Sequence, residues 1–304
     1  LSIWRRYERP TTNYEPFIER DLAAIPRAVR EFSASHGSEE AWKAVARFAV
    51  LAYAPAQHAK HALLCCLSVW EIRDLLGERF DDALVECAIY AATSRQPWSE
   101  PPILDPPPPD PSARLRGADR LEAERWLATS FDPAHYFEVA SDDFEDLGHK
   151  LIIANAAYKL ANLLGEKGRY AALRVGVWEM TAYGGARYAE RGGSVTMDRL
   201  ADNMLANRGD IESAHAVFLY DAAMETGQEK RVGDYLAQLP VASCQLPDRQ
   251  PATGNWQPIY RYARDCGAYL KSHAIARRRG IKRIIPAAWD NLEHGPSLEA
   301  FSFA

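Results

Sequence analysis

The sequence predicts an all-α fold: antiparallel helical hairpins with internal duplication around a central pocket. Three observations carry this. No segment sustains the period-two alternation of a half-buried strand. Apolar residues instead recur at spacings of three and four along most of the 304 residues. One helical layout also occurs twice: His61 leads to Leu75-Leu76-Gly77-Glu78, and His149 leads to Leu163-Leu164-Gly165-Glu166, an offset of 88 residues. Roughly ten to twelve helices are expected in one all-α domain over 1–304, with a Pro-rich connection at 97–111 between two helical halves.

Residues 1–15 read as an irregular lead-in. Pro16 to Phe32 carries Ile18, Leu22, Ile25 and Val29 at helical spacing, with Pro26 expected to kink or split the helix. Ser38-Glu39-Glu40 resembles a helix start running to about Tyr53, because a cap followed by acids suits the positive end of the dipole. The next helix carries His58 and His61 and ends at Leu76, with Gly77 as its C-cap. Phe80 to Thr93 pairs with it as a hairpin. Pro97 to Pro111 is the one low-complexity segment, readable as an extended linker or as a lid over a pocket. A helix over 117–129 follows, and Phe131-Asp132-Pro133 breaks the chain. The His149 helix reads as strongly amphipathic and forms a second hairpin with Tyr170 to Tyr183. Loops at Gly184-Gly185 and Gly192-Gly193 precede a short helix over Asp198 to Ala206. Asp210 to Thr226, with His215, and Val232 to Leu239 make a third hairpin. A long loop over 240–258 leads to a last strong helix, Tyr260 to Arg278.

Composition narrows the function. Hydrophobic residues make up 47% and charged residues 25%, the balance of a globular protein. A net charge of −5 gives no phosphate-binding footprint, so nucleic acid is not an expected partner. The basic run Arg277-Arg278-Arg279 reads as a solvated helix end. No apolar stretch reaches the roughly 18 residues of a membrane span, and the N-terminus lacks the plan of a signal peptide. The five cysteines, without C-x-x-C spacing, read as reduced thiols of a cytoplasmic protein.

Histidines in shared register are the main functional clue. His61 and His149 open equivalent helices, and His215, followed by Ala216-Val217-Phe218-Leu219, looks like a third copy. If these helices pack around one centre, the three imidazoles converge, and converging imidazoles suit Fe(II), Mn or Zn. His58, three residues before His61, adds a possible fourth nitrogen. Asp146 and Glu212 each precede a histidine by three, the acid-x-x-His pairing of carboxylate-bound metals, with Glu71 and Glu179 as candidate lone acids. The candidate ligands are therefore His58, His61, His149, His215 and Glu212. His36, His135 and His294 read as loop residues and His273 as part of a solvated face. The chain has no G-x-S-x-G elbow, P-loop or H-E-x-x-H.

The stretch His149-Lys150-Leu151-Ile152-Ile153-Ala154-Asn155-Ala156-Ala157-Tyr158-Lys159-Leu160, with Ala171-Ala172-Leu173-Arg174 and Trp178, resembles the helical hairpins of the questin oxidase-like family, as does His61-Ala62-Leu63-Leu64. The resemblance covers about a third of the chain. It implies a mononuclear non-haem iron held by histidines that open such helices, and oxidative ring opening of aromatic polyketides. His61, His149 and His215 are the matching positions. Where the family carries a second histidine or a late lysine, this chain has Leu67 or Ser68, Asn155 and Phe218.

The expected function is a metal-dependent oxygenase-like enzyme, with Fe(II), acting on a medium-sized aromatic or apolar small molecule of secondary metabolism. Trp70, Tyr90, Tyr158 and Trp178 are candidate pocket aromatics. Two alternatives stand: a metal-free enzyme with His149 as general base, its pKa raised by the acids before it, and a non-enzymatic helical-repeat scaffold. Convergence and burial of the histidines separate the enzymes from the scaffold.

Overall fold

Helices account for the regular structure of the computed structural model, which describes residues 22–53, 60–94, 106–239 and 257–290. They are α1 (Ile25–His36), α2 (Ser38–Leu51), α3 (His61–Glu71), α4 (Phe80–Ser94), α5 (Arg120–Ser130), α6 (Pro133–Ala140), α7 (His149–Leu164), α8 (Glu166–Ala182), α9 (Met197–Ala206), α10 (Ile211–Thr226), α11 (Glu229–Gln238), α12 (Gln257–Arg279) and α13 (Ile284–Asp290). A single short turn, Arg73–Leu76, follows α3. Among the described residues there is no strand, and no helix is long and apolar enough to cross a membrane.

Local chemistry sets most of the boundaries. Asp119, Asp132, Thr196 and Asp210 cap α5, α6, α9 and α10, each side chain accepting a first-turn N–H. Gly165, at φ 67°, is both the end of α7 and the start of α8, so one residue turns that hairpin. Pro26 sits in the first turn of α1, where its missing N–H costs nothing, and the Pro16–Asp21 part of the expected first helix lies outside the described residues. His36 closes α1 and His135 lies on α6, so neither is a loop residue; His294 lies outside the described residues. Residues 106–110 have no regular structure, in keeping with a connection, while 97–105 lie outside the described residues.

Polar pairs fix the direction of the inner helices. His61 meets His149, and ten residues on Glu71 bonds Lys159. His149 meets His215, and ten residues on Lys159 bonds Glu225 at 3.0 Å. Equivalent positions touch at both ends, so α3, α7 and α10 run parallel and in register. Helix α12 runs alongside: Gly267 abuts Cys65 near the start of α3, and Arg278 reaches Glu71 at its end. Helices α4, α8 and α11 return outside them, each packed on the helix before it.

Being innermost, α7 is buried on nearly every side, from His149 through Ala157 and again at Leu160, Ala161 and Leu164. Its polar face is therefore not solvated, contrary to the amphipathic expectation. Gly176 of α8 makes the close contact with α7 possible: a Cβ there would meet Tyr136 Oη at 1.7 Å and Ala154 Cα at 3.1 Å. Trp42 Nε1 ties α2 to α3 through the Cys66 carbonyl at 2.8 Å. Cys65, Cys66 and Cys87 are buried; Cys244 and the Cys266 side chain lie outside the described residues.

Ionic pairs fill the lower end of the inner helices. Asp221, 0% exposed, accepts from Arg278 at 2.6 Å and Arg279 at 2.9 Å. Arg278 also pairs with Glu71 and Glu225. Arg278 and Arg279 thus fold back into the molecule, because the buried Asp221 needs cations, while Arg277 stays exposed beside Asp74. His273, expected on a solvated face, is buried edge-on to Tyr269 at 4.5 Å, and burial pulls its pKa down to about 4.

Burial opposes ionisation of Asp221, but Lys271, Arg278 and Arg279 outweigh it and lower its pKa. A depressed carboxylate contributes stability above its unfolded pKa and loses it as pH falls through the folded one. Asp221→Asn is expected to cost about 3–5 kcal/mol at neutral pH, as when a buried pair loses one partner. Urea melts should show a smaller loss below about pH 4, the unfolded aspartate range. A cost that does not change with pH would refute the assignment.

Candidate metal centre

Three histidines from three parallel helices converge at their N-terminal ends. His149 Nε2 lies 3.1 Å from His61 Nε2 and 3.2 Å from His215 Nε2, and the three ligand nitrogens all fall within 4.8 Å of one another. The rings stand edge to face, with the His61 and His149 planes at 82°. His149, in the middle, is 4% exposed, and the outer two are half-buried.

The outer nitrogens define what the inner ones can do. His149 Nδ1 bonds the Asp146 carbonyl, and His215 Nδ1 bonds the Ile211 carbonyl at 2.5 Å. A carbonyl only accepts, so both protons sit on Nδ1, and each Nε2 presents a lone pair inward. Two such lone pairs 3.2 Å apart repel unless a shared proton or a metal ion lies between them. Metal–imidazole bonds of 2.0–2.1 Å place neighbouring nitrogens about 3.0–3.4 Å apart at octahedral to tetrahedral angles. The two short spacings fit that range, so the donor set suits a divalent transition metal.

An unusual turn presents His149. Asp146, Leu147 and Gly148 are all left-handed, with φ 50°, 59° and 78°. Non-glycine residues there cost of order 1 kcal/mol or more each and persist only when neighbours hold them. Lys60 provides that hold: it is buried and bonds both the Asp146 carboxylate and Glu179 Oε1, the latter at 3.2 Å. Glu179, 0% exposed, also accepts from the Tyr53 hydroxyl and from Tyr183 Oη at 2.6 Å. Burial, then Glu179, pushes both phenols up, so they stay protonated donors. A Cβ on Gly148 would come within 2.6 Å of Leu219 of α10, so the turn must be tight for α7 and α10 to close.

The predicted acids do not join the histidines. Asp146 lies in the turn and not on the helix, and its Oδ2 is 3.4 Å from the outer nitrogen of His149. Glu212 sits on the first turn of α10, outside the three-histidine group. It lies towards Tyr235 of α11, whose phenol burial and then Glu212 push up. Glu71 belongs to the ionic pairs below, and Glu179 to the Lys60 set. His58 lies outside the described residues.

A cavity of about 40 Å³ opens on the three histidines, lined also by Leu64, Ile152, Phe218, Gly267, Ala268 and Lys271. One water needs about 10–15 Å³ on this measure, so an ion and one or two small ligand groups fit. Each histidine contributes with the residue three positions on, His61 with Leu64, His149 with Ile152 and His215 with Phe218. That pattern was available in the sequence; Lys271, on a helix with no counterpart in the repeat, had no comparable signal. The expected aromatics are elsewhere: Trp70 stacks on Trp42, Tyr158 packs against Phe131 and Phe137, Trp178 bonds Glu124 with its Nε1 at 2.5 Å, and Tyr90 is core.

Loss of the partners that orient a ligand typically lowers metal affinity about 10–100-fold. Lys60→Met and Gly148→Ala are each expected to weaken Co(II) binding by that order, read by competition with a chromophoric chelator. Circular dichroism should show the helices intact. Unchanged affinity in Gly148→Ala would mean that the turn does not govern His149.

Searches of protein-family models, curated proteins and solved structures found no match to this chain.

Proposed function

We propose that this chain is a metal-dependent enzyme whose centre is His61, His149 and His215, with Fe(II) as the resident ion and oxygenase-like chemistry on a small organic substrate. The observation that carries the reading is the pair of inward lone pairs on His149 and His215, fixed by the carbonyl bonds at Nδ1. The likeness of the His149 hairpin to the questin oxidase-like family supports iron and an aromatic substrate. The offsets of 88 and 66 residues between the paired histidines support a duplicated unit around a central pocket.

A divalent ion at this centre supplies Lewis acidity and, when redox-active, electrons. The chain's own residues do the rest. His61, His149 and His215 would hold the ion, and a site with three protein ligands keeps a position for water or substrate. Leu64, Ile152 and Phe218 limit the water that reaches them. Asp146, held by Lys60, keeps the proton of His149 on the outer nitrogen.

The test is metal analysis after reconstitution with Fe(II), Co(II) or Zn(II). One equivalent per chain is expected, lost in His149→Ala, and saturating metal should raise the thermal midpoint by linkage. Dioxygen uptake with a panel of phenolic and carboxylated aromatics then reads the activity. Failure to retain any of the three ions would sink the proposal.

A second reading is favoured by the Asp146 carboxylate 3.4 Å from His149 Nδ1. That pair, without metal, makes His149 Nε2 a general base. Activity that survives exhaustive chelation and vanishes in His149→Gln would select it.

A further inference from the structure

Lys271 is 5% exposed and lines the same cavity as the three histidines. The carboxylate it pairs with, Asp221, is 4.0 Å away, beyond hydrogen-bond range. Asp221 is already engaged by Arg278 and Arg279. Glu71 and Glu225 are engaged by Lys159 and Arg278. The buried cluster therefore sets three carboxylates, Glu71, Asp221 and Glu225, against four cations, Lys159, Lys271, Arg278 and Arg279. The excess positive charge lies at the end that faces the cavity.

Among the described residues no acid lines the cavity to offset it: beside the three histidines, Leu64, Ile152, Phe218, Gly267 and Ala268 bring no charged group. A divalent ion on the histidines adds a second positive centre to the same enclosed space, where like charges repel far more than in water. An anion between the two relieves both, and a bound ion's own charge is the largest in such a site. The volume of about 40 Å³ admits a compact anionic group, not an aromatic ring.

We propose that the centre binds an anionic oxygen of its substrate, a carboxylate or enolate, between the Lys271 ammonium and the histidine-bound metal. The inference rests on the metal reading above and narrows it: the substrate carries an acidic oxygen, and the rest of its body stays outside the cavity. Lys271 is then the residue that selects for charge.

Formate is the probe, being a carboxylate small enough for the cavity. Binding of [13C]formate is followed by NMR line width in the metal-free protein and in the Co(II)-loaded protein. Wild type should bind formate in both states, more tightly with Co(II). Lys271→Met should lose about tenfold or more in both, the scale of one charge-assisted hydrogen bond. Lys271→Arg should keep most of the affinity, and Lys271→Gln replaces the Met variant if that does not fold. Without formate, Lys271→Met should bind Co(II) as well as wild type or better, since a repulsive charge is gone; a merely structural role would weaken it. Equal formate affinity in wild type and Lys271→Met, or no formate binding to wild type, overturns the proposal. Formate binding that depends on Lys271 in a protein that takes no Co(II) overturns the metal reading alone.

Discussion

Parallel, in-register packing of α3, α7 and α10 is the constraint on which the rest depends. Helices α3 and α7 begin on a histidine, α10 carries His215 one turn in, and each has a charged residue ten positions beyond its histidine. When the three lie side by side in one direction, the histidines form one layer and Glu71, Lys159 and Glu225 form another about 15 Å below, at 1.5 Å per residue. The lower layer acts as a register lock. A slip of one residue along any helix would separate buried carboxylates from their cations and also misalign the imidazoles. Buried ionic groups are poor sources of net stability, and registration of elements is their best-attested use.

The upper layer can hold a cation because its nitrogens are oriented from outside. The Asp146 and Ile211 carbonyls assign the protons of His149 and His215, so the inward nitrogens are donors to a cation and not to each other. For His215 this is the ordinary helical carbonyl four residues back. For His149 no helix precedes the ring, and a left-handed turn delivers the carbonyl instead. That turn is the costly part of the site. The Lys60, Glu179, Tyr53 and Tyr183 set stands behind it, which gives a reason for a fully buried glutamate so close to a candidate metal centre that it does not enter.

Two faces of the centre differ in charge. Behind His149, Asp146 and Glu179 both pair with Lys60, so among the described residues two carboxylates meet one paired cation on the outer side of the ring. Across the cavity, Lys271 brings positive charge with no acceptor among the described residues at hydrogen-bond distance. A cation is favoured near the histidines and an anion beyond it, so the field across the site orders its ligands.

Helical class, the main hairpins and the convergence of His61, His149 and His215 were legible in the sequence, because periodicity and a repeated register are local, countable features. The acids were misread for a physical reason. Acid-x-x-His spacing puts both side chains on one face only if both lie on the helix, and Asp146 falls in a turn that reverses its direction; Glu212 lies on α10 but is drawn towards α11. His273 and Arg277-Arg278-Arg279 look like a solvated surface in one dimension, yet Asp221 of α10 and Glu71 of α3 draw Arg278 and Arg279 in, while Arg277 stays exposed. The sequence by itself determined the helical class and the main hairpins, but not α6 or α13. Only the tertiary structure decided that Lys271 faces the histidines and that Lys60 holds the turn, because both depend on packing between segments far apart in the chain, which no local spacing encodes.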